Sequence, residues 1–414
     1  MYNGAGSLFY ILLLGMVLPS CAGRTSETDS LQTTSTASEF SSAQPITSRE
    51  LSDGTSVKPS DKDLITSDSI SRDSTIYPGI MPSSKKRSSR FDIGFEFEDT
   101  KQKISVTISD AVLDGARRAV KDAFSKTGEM PDDWEEQYDL ALIDDPAQDS
   151  FYKSVLEKTR LLGKKLNLDE NRYLEMLGAL VQHIPYDSQS ERDARFPVET
   201  VGDNKGDCDD RSRLLAALLS REGYAAALLH FDKENHMAVG IKADGLEYRG
   251  TGWTIIETTS PSMVGFPFEE NALVKLSTTP VAVSVSGSNT KVFTAADDII
   301  FLKKTMDDMK KERQKVSLSL EKINRSVEQK KQESSRYAAD VKNLKGHPAS
   351  EVNKAIDAYN LSVREFNTLV VKQKTLAEYL NARIEIFNYI SRHQSSRYPT
   401  VKWVRSRLEK LPKK

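Results

Sequence analysis

Between Leu302 and Leu344 the stripe positions of the chain fall alternately four and three residues apart: Leu302, Met306, Met309, Arg313, Val316, Leu320, Ile323, Val327, Lys330, Ser334, Tyr337, Val341, Leu344. Ten of these thirteen are apolar. The stripe stops at Gly346-His347-Pro348 and restarts at Val352, running through Ile356, Tyr359, Val363, Phe366, Val370, Gln373, Ala377, Leu380, Ile384 and Phe387. Two helices with such a seven-residue repeat, joined by a Gly-Pro turn, predict an antiparallel coiled-coil hairpin over 298–392. At about 1.5 Å per residue each arm is on the order of 60 to 70 Å long. The basic segment 393–414 follows as a tail with some helical character.

Upstream the period changes. Phe91-Asp-Ile-Gly-Phe-Glu-Phe-Glu alternates apolar and polar, as does Lys103-Ile-Ser-Val-Thr-Ile, which predicts two strands. Ser109-Asp110 then offers an N-cap for a helix over Ala111 to Ser125, so 91–149 reads as a strand and helix extension. Ser150 to His183 carries a helical leucine pattern broken near Leu166-Asn167-Leu168-Asp169 and stopped at Ile184-Pro185-Tyr186-Asp187. Phe196-Pro-Val-Glu-Thr reads as extended. A helix then begins at Cys208 and turns Leu214, Leu215, Leu218 and Leu219 toward a core. Strands are expected at Ala225 to Phe231, His236 to Lys242, Leu246 to Arg249 and Trp253 to Thr259, with Asp244-Gly245 and Gly250-Thr-Gly252 as turns. Helices followed by antiparallel strands make 150–290 an α+β domain.

The N-terminal ninety residues are of another kind. Leu8 to Pro19 is an apolar run of signal-peptide length, and Leu18-Pro19-Ser20-Cys21 resembles the lipobox of bacterial lipoproteins, in which the cysteine is acylated. Pro19 and the absence of Lys and Arg in the leader depart from that pattern, and an ordinary secretory leader or an uncleaved anchor stays open. On this reading 1–21 is a signal peptide, Cys21 carries lipid, and the protein sits in the cell envelope on a membrane face. From Arg24 to Arg90, 27 of 67 residues are Ser or Thr, a composition too poor in apolar surface to offset ordering entropy, so 22–90 reads as a disordered tether. A net charge of −2 gives no electrostatic reason for binding nucleic acid.

Two cysteines sharpen the chemistry. With Cys21 lipidated, Cys208 has no disulfide partner, and Gly206-Asp-Cys-Asp-Asp is a poor setting for a merely buried apolar side chain. His236 and Glu257 follow within fifty residues, so a nucleophile, a base and an orienting acid occur in that order. A thiol attacks a carbonyl as thiolate, which a helix N-terminus favours and Asp207, Asp209 and Asp210 oppose, so His236 is expected to form an ion pair with Cys208. The Cys208 N–H and the Gln182 amide are oxyanion candidates. Each has a plainer alternative: His236 as a polar strand end, Glu257 as an exposed strand position, Gln182 as helix surface. His and Cys are too sparse for a zinc site.

Pro197-Val-Glu-Thr, Gly206-Asp-Cys-Asp-Asp, Leu214-Leu-Ala-Ala-Leu-Leu, Gly223-Tyr224, His236-Met-Ala-Val-Gly and Glu257-Thr-Thr together resemble the transglutaminase-like superfamily, in particular its bacterial and archaeal cysteine-proteinase-like members. That resemblance implies a papain-like core, a Cys-bearing helix on an antiparallel sheet, with Cys208 as nucleophile, His236 as base and Glu257 as third member. It implies amide chemistry on a protein or peptide through an acyl-enzyme, by hydrolysis or by transfer to an amine. Glu-Thr-Thr departs from the more common Asp-Pro-Thr. No cofactor is required, and calcium at Asp207 and Asp209 is an option the resemblance adds, although two carboxylates are too few for a full shell. The competing expectation is a non-catalytic peptide-binding lipoprotein whose coiled coil serves a partner or self-association.

Overall fold

The structure, a computed structural model, describes residues 71–72, 75–187, 193–266, 276–285 and 287–412. All of them belong to one compact unit spanning 65–414. The expected signal peptide, the expected lipidation at Cys21 and the expected tether up to residue 70 lie outside the described residues.

Structure begins upstream of the expected boundary at Phe91. β1 (Ser71–Arg72) and β2 (Thr75–Ile76) form a small antiparallel sheet with β5 (Phe124–Ser125). Tyr77 and Ile80 are buried, and the Ile80 N–H donates to Asp145 Oδ2 at 2.7 Å. The few apolar residues at the end of the Ser/Thr-rich stretch are therefore part of the core, and 75–90 does not belong to the tether.

The alternating runs do form a hairpin, β3 (Ser88–Phe97) against β4 (Thr100–Ser109), which turns Ile93, Phe95, Phe97, Ile104, Val106 and Ile108 inward. α1 (Asp110–Arg118) is shorter than expected. The Lys121 ammonium donates to the Ala116 carbonyl at 2.8 Å near its C-terminal end and reaches Glu199 at 2.5 Å, so the chain leaves the helix early. α2 (Trp134–Ile143), α3 (Asp149–Lys165) and α4 (Glu170–Gln182) follow, the last two separated at 166–169 as the pattern predicts. Residues 91–149 are not an appendage: their apolar side chains join the same core as those of the later helices and strands.

α5 (Pro197–Gly202) is a correction, since this segment reads as extended. Pro197 at the first helical position has no N–H to satisfy, and Glu199 accepts from the Phe196 N–H at 2.9 Å, which together start a helix. α6 (Cys208–Arg221) lies at the centre, with Leu214, Leu215, Ala216, Ala217, Leu218 and Leu219 all fully buried. It is enclosed rather than amphipathic, and each buried leucine contributes roughly 1.5–3 kcal/mol of burial free energy.

Beside α6 runs an antiparallel sheet in the order β8-β7-β6-β9: β6 (Ala226–Phe231), β7 (His236–Ile241), β8 (Thr254–Ile256) and β9 (Val281–Ser284). The expected strand over Leu246 to Arg249 is absent. Gly245, Arg249, Gly250 and Gly252 all hold positive φ, so the chain turns repeatedly and forms the tip between β7 and β8. Those two strands therefore pair directly, Val239 opposite Ile256 and Ile241 opposite Thr254.

The C-terminal part is a helical hairpin, α7 (Ala296–Asn343) and α8 (Ala349–Arg392), with side-chain bonds Tyr379–Glu312, Gln373–Asn324 and Ser362–Ser334 marking an antiparallel register. Leu302, Met309 and Val316 are buried, whereas the stripe from Leu320 to Leu344 is only half-buried. Two helices cover one side of each other, and only near the body does a third layer close the seam. α9 (Arg397–Glu409) supplies part of that layer, burying Val401 and Val404 and stacking Trp403 on Tyr389 at 3.8 Å. The basic tail is thus a docked helix over most of its length.

One buried ion network fixes this docking. Arg397 binds both oxygens of Glu175 on α4, at 2.7 and 3.1 Å, and Asp298 on α7 at 2.6 Å. Burial pushes the Glu175 carboxyl up to about 7 although Arg397 pulls it down. Arg397→Ala leaves a buried carboxyl unpaired, and the expected loss is about 3 kcal/mol or more, read as a lowered urea midpoint. An unchanged midpoint would show that the network does not hold the helices to the body.

Candidate functional site

The thiol is seated by its own local sequence. Cys208 is the first residue of α6, and the N-cap Asp207 accepts from the Asp210 N–H at 3.0 Å while Asp210 accepts from the Asp207 N–H at 3.3 Å. This reciprocal cap satisfies two of the helix's orphan donors. Asp210 also accepts from the Arg195 N–H at 3.0 Å. Two of the three aspartates around the cysteine thus have structural work. Gly206 precedes them because a Cβ there would lie 2.9 Å from Asp210 Cβ and 3.0 Å from Thr200 Cγ2.

His236 opens β7 and Glu257 follows β8, so direct pairing of these strands brings them together: His236 Nε2 lies 3.0 Å from Glu257 Oε2, with both residues buried. The other oxygen, Oε1, accepts from the Thr258 N–H, the Thr259 N–H and the Thr259 hydroxyl at 2.9, 2.8 and 2.7 Å. Burial alone would raise the Glu257 carboxyl, but the bonds from His236 and Thr259 outweigh it and hold the group below its ordinary value. An ionised carboxylate only accepts, so Nε2 carries the proton and Nδ1 is the basic nitrogen of the neutral ring.

The thiol does not form the expected bond to the imidazole. Its hydrogen goes to Asp209 Oδ1, 3.2 Å away, and the sulfur receives the Met237 N–H. Cys208 is 8% exposed. Burial, then the Asp209 charge, push its pKa up to about 12, against the weaker opposite pull of the Met237 N–H. The expected thiolate–imidazolium pair is therefore not the resting state. The carboxylate one residue along takes the thiol hydrogen, and its charge adds to the cost of ionising the sulfur.

Gln182 is likewise not an oxyanion donor. Its amide nitrogen donates to the Glu257 carbonyl at 2.7 Å and the Ser262 carbonyl at 3.1 Å, which uses both hydrogens. It braces the loop that carries the acid. Asp207 and Asp209 gain no third ligand: among the described residues no group of three or more His, Cys, Asp or Glu side chains is placed to hold a metal ion.

Three features of the site escaped the sequence reading. Tyr186, read only as a helix stop, has its hydroxyl within hydrogen-bond reach of Cys208, and burial followed by the sulfur's charge pushes its pKa up to about 12. It is placed there because the Gly206 N–H donates to the Pro185 carbonyl and the Asp187 N–H to the Gly206 carbonyl. Arg211, one turn after Cys208 and fully buried, donates to the carbonyls of Thr258 and Ile184, tying the acid loop and the Tyr186 segment to the cysteine helix. Asp139, also buried, binds Arg213 Nε at 2.7 Å and lies 3.0 Å from His230 Nε2. Nothing in the spacing of these residues marks them; only the turn at Pro185 and the polar positions inside apolar helices set them apart.

No family model matches this chain, and no curated protein matches it. Among solved structures, that of a "Putative Cysteine Protease from Cytophaga hutchinsonii" aligns over 54% of this chain and 85% of its own, with 13% identity and a TM-score of 0.20. A likeness this low carries no argument about fold or activity, and the α+β assignment rests on the elements themselves.

Alkylation of Cys208 by iodoacetamide follows the thiolate fraction, so its rate should still be climbing at about pH 9 in the unmodified protein. Asp209→Asn keeps an acceptor oxygen but removes the like charge, and its rate profile should move to lower pH. A plateau below about pH 8 in the unmodified protein would contradict this electrostatic picture.

Proposed function

We propose that this protein is an envelope-tethered, transglutaminase-like cysteine peptidase with a papain-like core, acting on a protein or peptide amide through an acyl-thioester at Cys208. The observation that supports it most is the buried His236–Glu257 pair beside a thiol at the head of α6. Because the resting sulfur is protonated, the proton leaves during attack, as in serine hydrolases. The sulfur bonds to the carbonyl carbon while His236 Nδ1 takes the S–H proton, and Glu257 stabilises the imidazolium. The Cys208 N–H, a helix-terminal group with no intrahelical acceptor, and the Tyr186 hydroxyl are the oxyanion donors in this reading. The imidazolium then protonates the leaving amine as the C–N bond breaks. Water or a second amine attacks the thioester, with His236 again as base, and the thiol is restored.

No step passes through calcium. Asp207 caps the helix and Asp209 accepts from the thiol, so neither carboxylate is held in reserve for an ion. The half-buried outer stripe of the α7–α8 hairpin makes it a docking arm for a protein partner or for self-association in the same reading. The membrane is reached through lipid on Cys21. Among the described residues no helix is long and apolar enough to cross a bilayer. Partition of the full chain into the detergent phase, lost in Cys21→Ser, is the expected result; partition into water by the unmodified protein would remove the tether.

The raised thiol pKa favours a second reading, a non-catalytic peptide-binding domain with the hairpin as scaffold. A peptide library digested in the presence of hydroxylamine separates the two. The peptidase forms hydroxamates, none with Cys208→Ala, and His236→Ala lowers the rate by about a hundredfold or more. Hydroxamates undiminished in Cys208→Ala would overturn the proposal, and their absence from the unmodified protein would leave the scaffold.

A further inference from the structure

A cavity of about 550 Å³ adjoins the thiol, since two of the neighbours that bond the sulfur, Asp209 and Met237, line it. One wall is aromatic: Trp134 and Tyr138 meet edge to face with ring centroids 6.4 Å apart. Asp139 also lines it, and its charge is answered by Arg213 at 2.7 Å and His230 at 3.0 Å. Lys121, another lining cation, is taken up by Glu199 at 2.5 Å. What remains for a ligand is the charge of Asp209 with Asp122, Glu135 and Asp232, the last three exposed and without an ion-pair partner among the described residues. An apolar wall with a negative rim suits a long aliphatic stem that ends in a cation, which lays its methylenes on the rings and its charge among the carboxylates.

Resting on the peptidase reading, we infer that this cavity is the subsite for a basic side chain of the substrate, a lysine or arginine close to the amide that Cys208 attacks. An acidic side chain would meet four carboxylates in the same place, and a purely apolar one would leave the rim unanswered. Specificity at this subsite is thus electrostatic at the rim and apolar in the wall.

The test is binding to the full chain carrying Cys208→Ser, which keeps the cavity and cannot form a thioester. Short blocked peptides that differ only in lysine, norleucine or glutamate at one position are titrated by calorimetry. Lysine should bind about tenfold tighter than norleucine, with glutamate weakest. The preference should shrink in about 0.5 M salt and fall at least about threefold in Glu135→Gln/Asp232→Asn, two surface changes outside the catalytic set. Equal affinity for lysine and norleucine, or an undiminished preference in that double variant, overturns the subsite whatever the peptidase assay shows. A lysine preference in a protein that forms no hydroxamate leaves the subsite standing and removes the chemistry.

Discussion

The hydrogen bond between His236 and Glu257 is the contact on which the rest of the site depends. It exists because the segment between β7 and β8 folds into a turn-rich tip, which lets the two strands pair and sets the end of one beside the start of the other. Much of the surrounding polar structure then serves to keep Glu257 in place. Gln182 holds its carbonyl from α4, Arg211 holds the neighbouring Thr258 carbonyl from α6, and three donors from Thr258 and Thr259 fill its second oxygen. A buried carboxylate with all these partners is ionised, and an imidazole beside it has one tautomer.

The sulfur is in a less favourable field. A helix N-terminus offers an anion typically 0.3–1 kcal/mol at the surface, up to about 2 kcal/mol when partly buried. Burial and an aspartate in direct contact work the other way and prevail, which is why the thiol stays protonated. The same aspartate faces the cavity with the aromatic wall. Thiol and cavity thus share one charged group, and whatever answers that charge changes the environment of both.

The strongly periodic parts of the fold were legible in the sequence. The α7–α8 hairpin follows its heptad stripe with the turn at Gly346-His347-Pro348, and β3, β4, β6 and β7 fall within two or three residues of their alternating or apolar runs. Short segments governed by side-chain bonds were not: α5 depends on Glu199 capping Phe196, and the failed strand near Leu246 on a series of positive-φ residues. The site was legible in part for the same reason. Cys208, His236 and Glu257 announce themselves by type and order, and strand pairing joins the last two. The roles of Gln182 and Asp209 turn on where single hydrogen atoms point, and Tyr186 reaches the sulfur only through the bonds between Pro185, Asp187 and Gly206, which no spacing records.

The most direct measurement is of the His236 ring itself, by nitrogen-15 chemical shifts in the folded protein at neutral pH. A ring proton on Nε2, coupled to Glu257, is the result this account predicts. A proton found on Nδ1, with Nε2 unprotonated beside the carboxylate, would contradict it.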